Sequence, residues 1–104
     1  MQTFNHIGIP TTFNRDGEIY LEDAKLYVTD FNDSEYNIEW LRFEEGSPMP
    51  EILKTTAHVA YMVDDLAKAM QGKQTLLEPF EPMEGLRVAF ILEDGAPIEF
   101  MQKI

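Results

Sequence analysis

The chain has no cysteine among its 104 residues, so a disulfide framework and a thiolate metal site are both excluded. Basic residues are scarce, because eight lysines and arginines stand against nineteen aspartates and glutamates, for a net charge of −11 at pH 7. A surface of that sign repels nucleic-acid phosphates and anionic lipid headgroups. We therefore expect a small-molecule ligand, and neither a nucleic acid nor a membrane as partner.

Long apolar runs are also missing. No stretch approaches the roughly 20 residues that a membrane helix needs. The opening residues, MQTFNHIGIP, lack the basic and apolar regions of a secretory signal. These absences predict a cytoplasmic protein, and a chain of 104 residues predicts one domain, 1–104.

What the sequence does contain is a series of short alternating segments typical of β-strands. One helix is predicted at 65–71, with Asp64 as its cap and Gly72 at its end. The segment 45–53 carries two prolines and one glycine, which predicts a connection between two halves. The predicted strands are 3–9, 18–22, 24–31, 36–44, 57–63, 75–80, 85–93 and 96–102.

An internal repeat links the two halves. Shifted by sixty positions, residues 26–42 align with residues 86–102 without a gap, and IEWLR then faces IEFMQ. The only two histidines, His6 and His58, are offset by 52 positions, and the eight missing residues correspond to the helix at 65–71. We therefore predict an α+β fold in which one strand–helix–hairpin unit is written twice, with the first helix reduced or absent.

The same alignment gives each unit a histidine and a glutamate at equivalent positions, because Glu39 faces Glu99. Alternation along the strands places all four side chains on one face with Gly8 and Ala60, whose small size leaves space above the imidazoles. Each of the four is singly explained by a solvated strand face, but their joint recurrence is not. Two imidazoles and two carboxylates suit Zn²⁺, Ni²⁺, Fe²⁺, Mn²⁺ or Co²⁺. The predicted metal ligands are His6, Glu39, His58 and Glu99.

With HIGIP and HVAYMVDDL opening the two units, and IEW and PIEF near their ends, the chain resembles the vicinal oxygen chelate superfamily. That superfamily includes glyoxalases, epimerases, extradiol dioxygenases and drug-resistance proteins. The resemblance implies one glyoxalase-like domain whose βαβββ-type modules, about 1–47 and 55–104, form a curled mixed sheet. It implies a metal held by a histidine from each module's first strand and a carboxylate from each last strand. Glu44 and Glu45 compete with Glu39 for one of these places.

For function, the resemblance implies a divalent-metal-dependent isomerase, lyase or epimerase acting on a small vicinal-oxygen substrate, with Glu99 or Glu39 as general base. Two alternatives stay open. An iron-dependent ring-cleaving dioxygenase would use His6, His58 and Glu99 as a facial triad. A metal-free protein would bind small molecules in the same cup, as drug-sequestering members do.

Family members often dimerise, and the thin first module leaves the apolar side chains Ile38 and Trp40 in need of cover. We therefore expect a homodimer, in which the metal ligands come from one chain or from two. Arg42 and Arg87 lie within predicted strands and are candidates to meet a substrate carboxylate, although a salt bridge is the simpler role for Arg42.

Overall fold

The computed structural model describes residues 2–104, which form a curled, mixed sheet of eight strands with two short helices. The strands are β1 (Gln2–Pro10), β2 (Ile19–Leu21), β3 (Leu26–Val28), β4 (Ile38–Phe43), β5 (His58–Val63), β6 (Gln74–Met83), β7 (Leu86–Glu93) and β8 (Ala96–Lys103). The helices are α1 (Glu51–Thr55) and α2 (Leu66–Met70), and a 3-10 turn spans Phe31–Asp33. The sheet makes a half-barrel, which confirms the predicted α+β class. Within residues 2–104, no helix has the length and apolarity needed to cross a bilayer.

The two halves of the sheet repeat one strand order around a central pair. The order is β2-β3-β4-β1-β5-β8-β7-β6, in which β1 and β5 are antiparallel and each runs parallel to the last strand of its own half. Gly8 lies beside Glu39 and Ala60 beside Glu99, so the two registers are equivalent. The internal repeat is thereby confirmed. We call Gln2–Phe43 the first repeat and His58–Lys103 the second repeat.

The repeats differ in their helix, as predicted. In the second repeat α2 follows β5, but its cap is Asp65 and not the predicted Asp64, because the side chain of Asp65 accepts a hydrogen bond from the backbone of Lys68. In the first repeat a loop joins β1 to β2 without a helix. The guanidinium of Arg15, in this loop, lies 3.9 Å from the centre of the Trp40 ring, so the loop covers part of the surface that a helix would otherwise cover.

Three local differences from the sequence prediction have physical causes. The connection between the repeats contains α1, because Pro50 is well suited to the start of a helix. Strand β6 continues past Pro79 and Pro82 to Met83, which is tolerated because β6 is the edge of the sheet. Strand β3 ends early at Val28, because Asp30 caps the 3-10 turn that follows.

The curled sheet has a concave face, which carries Glu39 and Glu99, and a convex face behind it. Helix α2 packs on the convex face of the second repeat, where Leu66 joins a buried cluster with Ala89 and Phe100. The concave face has its own apolar clusters, one in each repeat. Side chains along β8 therefore alternate between the convex face, where they pack against α2, and the concave face.

We expect Leu66→Ala to lower the free energy of unfolding by about 2–5 kcal/mol, because the side chain is 2% exposed and is the buried anchor of α2. Urea denaturation measures this change. The matched control is Lys68→Gln on the exposed side of the same helix, which should stay within about 0.5 kcal/mol. Equal effects of the two substitutions would contradict this packing role.

Candidate metal centre

Four side chains from the four central strands meet on the concave face. One nitrogen or oxygen atom from each of them lies within 4.8 Å of the corresponding atom of every other. The side chains of His6, His58 and Glu99 are 1%, 2% and 10% exposed, whereas the side chain of Glu39 is 18% exposed. A single chain supplies all four. They are His6 on β1, Glu39 on β4, His58 on β5 and Glu99 on β8.

The convergence follows from strand pairing at the seam between the repeats. In the β1–β5 ladder His6 lies opposite Ala60, and Gly8 lies opposite His58. A Cβ atom placed on Gly8 would be 2.2 Å from Cε1 of His58, so only glycine leaves room for that ring. The small residue beside the histidine of one repeat thus makes space for the histidine of the other, as the sequence predicted.

Glu99 is the most firmly held member of the group. Its Oε1 atom lies 3.0 Å from Nε2 of His58, within hydrogen-bond distance, and 3.4 Å from Nε2 of His6. Glu39 has one such neighbour, since its Oε1 atom lies 3.4 Å from the same His6 nitrogen. The two carboxylates are therefore not equivalent, although the strands that carry them are.

The protonation states reflect this crowding. Burial by itself lowers the pKa of His6, but the carboxylates of Glu39 and Glu99 outweigh burial and raise that pKa to about 9. Burial would raise the pKa of Glu99, yet the contacts from His58 and His6 lower it to about 2. The pKa of Glu39 is raised, first by burial and then by the charge of Glu99. Without a metal, a proton on His6 thus balances part of the buried negative charge at neutral pH.

The donor set fits a divalent transition metal. Nε2 of His6 is buried and has no hydrogen-bond partner, although it faces both carboxylates. Donors at the corners of a tetrahedron, about 2.1 Å from a Zn²⁺ ion, are about 3.4 Å apart. Of the six distances among the four donors, the two from His6 to the carboxylates have this value, the one from His58 to Glu99 is 3.0 Å, and all lie within 4.8 Å. Imidazole and carboxylate donors are also the ligands that Ni²⁺, Fe²⁺, Mn²⁺ and Co²⁺ accept in proteins.

Two neighbouring residues that the sequence did not predict, Asn5 and Phe31, orient the ring of His6. Nδ1 of His6 lies 2.8 Å from Oδ1 of Asn5, and because an amide oxygen only accepts, this nitrogen carries the proton and Nε2 faces the carboxylates. The ring of Phe31 stacks on the imidazole, with centroids 4.5 Å apart and planes 10° from parallel. Adjacency to a candidate ligand could have pointed to Asn5. Nothing in the sequence pointed to Phe31, because its ring is placed beside His6 by the 3-10 turn that follows β3.

The competing carboxylates lie elsewhere. Glu44 accepts a hydrogen bond from the hydroxyl of Tyr20, and Glu45 is exposed. Neither belongs to the group of four, so Glu39 is the carboxylate that the first repeat contributes.

The strand arginines are also placed away from the centre. Arg42 forms an ion pair with Glu18, in which Nη2 lies 2.7 Å from Oε1. Arg87 forms one with Glu81, in which Nη2 lies 3.2 Å from Oε2. Neither arginine lines the concave cavity.

That cavity has a volume of about 490 Å³ and contains all four donor residues in its wall. The rest of the wall is largely apolar and comes from both repeats. It includes Leu41 and Phe43 on β4, Met62 on β5, Val88 and Phe90 on β7, and Met101 on β8.

Comparisons with known proteins define the fold but give no function. No protein-family model matches the chain, and no curated protein matches it. The chain is similar to a solved crystal structure titled as the hypothetical protein BH1468 from Bacillus halodurans C-125. The TM-score is 0.76 at 23% sequence identity, over 99% of this chain and 95% of that one. The two proteins therefore share the curled mixed sheet, which is compatible with the resemblance seen in the sequence.

We expect Gly8→Ala to weaken binding of Ni²⁺ or Zn²⁺ by about 10–100-fold, because the added methyl group must displace the His58 ring. Competition with a chromophoric chelator measures the affinity. Ile9→Val serves as the control, since it lies on the same strand with its side chain toward the convex face. Unchanged affinity in Gly8→Ala would contradict the placement of His58.

A pH dependence follows from the raised pKa of His6. A metal ion at Nε2 must displace the proton held there below pH 9, so the apparent affinity for the ion should rise with pH. We expect about a tenfold increase per pH unit between pH 6.5 and 8.5, for one proton released. Calorimetry in buffers of different ionisation enthalpy counts that proton. Release of no proton at pH 7 would contradict the assignment.

Proposed function

We propose that the chain is a divalent-metal-dependent enzyme of the glyoxalase-like class, with isomerase, lyase or epimerase chemistry on a vicinal-oxygen substrate. The observation that carries the proposal is the meeting of two imidazoles and two carboxylates, with an unpartnered His6 nitrogen among them, in the wall of one cavity. The motifs that resemble the vicinal oxygen chelate superfamily lie at these same residues.

His6, Glu39, His58 and Glu99 would hold the ion. When bound, a divalent metal supplies a Lewis acid that polarises two adjacent oxygens of a substrate and makes the neighbouring C–H more acidic. The chain itself then has to bind the substrate, exclude water and move a proton between adjacent carbons.

We assign the proton transfer to Glu39 and an anchoring role to Glu99. Glu99 contacts both histidines through one oxygen, Oε1, and its side chain is 10% exposed. Glu39 contacts His6 through its own Oε1, and its side chain is 18% exposed in the cavity wall, so it is the carboxylate that a substrate carbon reaches more easily. A general base needs this access to the proton that it abstracts.

The second candidate is a metal-free small-molecule-binding protein. It is favoured by the contact between Nε2 of His58 and Oε1 of Glu99, which pairs these two atoms without an ion, and by the apolar wall of the cavity. A ring-cleaving dioxygenase is less well supported, because Glu39 is a fourth donor at a centre that would need open positions for oxygen and substrate.

Metal analysis of protein purified without an affinity tag tests the proposal. We expect about one equivalent of a transition metal in the wild-type chain and in Glu45→Gln, and less than about a tenth of an equivalent in His58→Ala. Circular dichroism checks that the variants fold. Wild-type protein that holds no metal, and gains none from added Ni²⁺, Zn²⁺, Mn²⁺ or Co²⁺, would favour the metal-free candidate.

The role of Glu39 has a separate test. Metal-loaded protein should exchange the α-proton of acetoin, an α-hydroxy ketone, for deuterium from D₂O, as followed by NMR. Glu39→Gln should keep an oxygen donor for the metal but lower the exchange rate by about 10²–10⁴-fold. The same loss in Glu45→Gln, or none in Glu39→Gln, would contradict the assignment.

A further inference from the structure

We propose that the ligand of this centre is an uncharged molecule with an elongated apolar body, held by an oxygen-bearing head at the four donors. This inference rests on the proposed function and narrows its substrate class. It follows from the cavity wall beyond the donors, from the placement of cationic side chains, and from the acidic rim at the far end.

The wall is the first observation. Away from the donors the cavity is lined by aliphatic, aromatic and thioether side chains of both repeats, and some of them, such as Ile19 and Met83, are about half exposed, at 51% and 47%. A volume of about 490 Å³ falls within the range that encloses drug-sized ligands. A two- or three-carbon substrate would leave most of this apolar surface in contact with water, whereas an apolar body would cover it.

Charge is the second observation. Among the described residues that line the cavity outside the four donors, Lys103 is the one cationic side chain, and it is exposed at the end of β8. Arg42 and Arg87 are engaged with Glu18 and Glu81 outside the cavity. Away from Lys103, a carboxylate or phosphate on the body of the ligand would therefore be desolvated without a cationic partner, which is costly.

The far end of the cavity gives the third observation. The wall continues past Leu21, Met49 and Phe80 into a second hollow, which lies between the edge strands β2 and β6 and shares these residues with the first. Glu22, Asp23, Glu78 and Glu81 line that hollow, and of these Glu81 is paired with Arg87. An anionic tail that reached this rim would be repelled, so the charge pattern excludes ligands with acidic tails and admits neutral ones.

Straight-chain alkyl hydroxamates test the inference, because they chelate a metal through two adjacent oxygens and carry a tail of chosen length. Calorimetry on protein loaded with Ni²⁺ or Zn²⁺ should show affinity rising by up to about fourfold per added methylene from acetohydroxamate to octanohydroxamate. A hydroxamate of the same length that ends in a carboxylate should bind at least about tenfold more weakly than octanohydroxamate.

A variant locates the tail. Leu21→Glu places a charge where the two hollows join. It should weaken the binding of octanohydroxamate about tenfold and leave the affinity for acetohydroxamate unchanged. Leu21→Met is the matched control and should bind both probes as the wild type does. Because the short probe reports the metal centre alone, its binding also shows that each variant is folded.

The outcomes separate the inference from the proposed function. Metal-loaded protein whose hydroxamate affinity is independent of tail length, or equal for the carboxylate-ended tail, overturns the apolar-body inference and leaves the metal centre standing. An unchanged ratio of long to short probe in Leu21→Glu overturns the placement of the tail. Failure of the wild-type chain to bind any of the metals overturns the proposed function and the inference with it.

Discussion

The antiparallel pairing of β1 with β5 is the constraint on which the rest of the structure depends. It sets His58 opposite Gly8 and His6 opposite Ala60, and the parallel partners of these strands then bring Glu39 and Glu99 alongside. A shift of one residue in this ladder would reverse the facing of one strand relative to the other and would turn one of the two histidines to the convex face. The four donors could then no longer meet on the concave face.

Burial of the two carboxylates and two imidazoles is unfavourable, and two features of the structure stabilise the cluster. Two carboxylates in a site with little water repel each other, and His6 in its protonated form balances part of that charge. Asn5 and Phe31 hold the His6 ring in the orientation in which Nε2 faces the two carboxylates. A metal ion would take over the same balancing role with a larger charge, which is why proton and metal compete for one nitrogen.

Much of the site could be predicted from the sequence because duplication makes it visible. His6 and His58 repeat at one offset and Glu39 and Glu99 at another, and the loss of one helix reconciles the two. The missing first helix followed from the same alignment, whereas the curled sheet was implied by the resemblance to the vicinal oxygen chelate superfamily. Helix α1 and the continuation of β6 through its prolines could not be predicted, since they depend on where a segment lies in the sheet. The contact of Phe31 with His6 and the apolar volume of the cavity arise from tertiary packing, which no local pattern encodes.

Equivalence of the two registers has a consequence for the origin of the chain. Each repeat contributes one imidazole and one carboxylate, so a half-length polypeptide would carry half of the donor group. Two identical copies related by a dyad would assemble the whole group at their contact. Tandem duplication of such a gene would convert that intermolecular contact into the β1–β5 seam and would leave each copy free to diverge. The helix kept by one copy and lost by the other, and the unequal bonding of the two glutamates, are the asymmetries that such freedom permits.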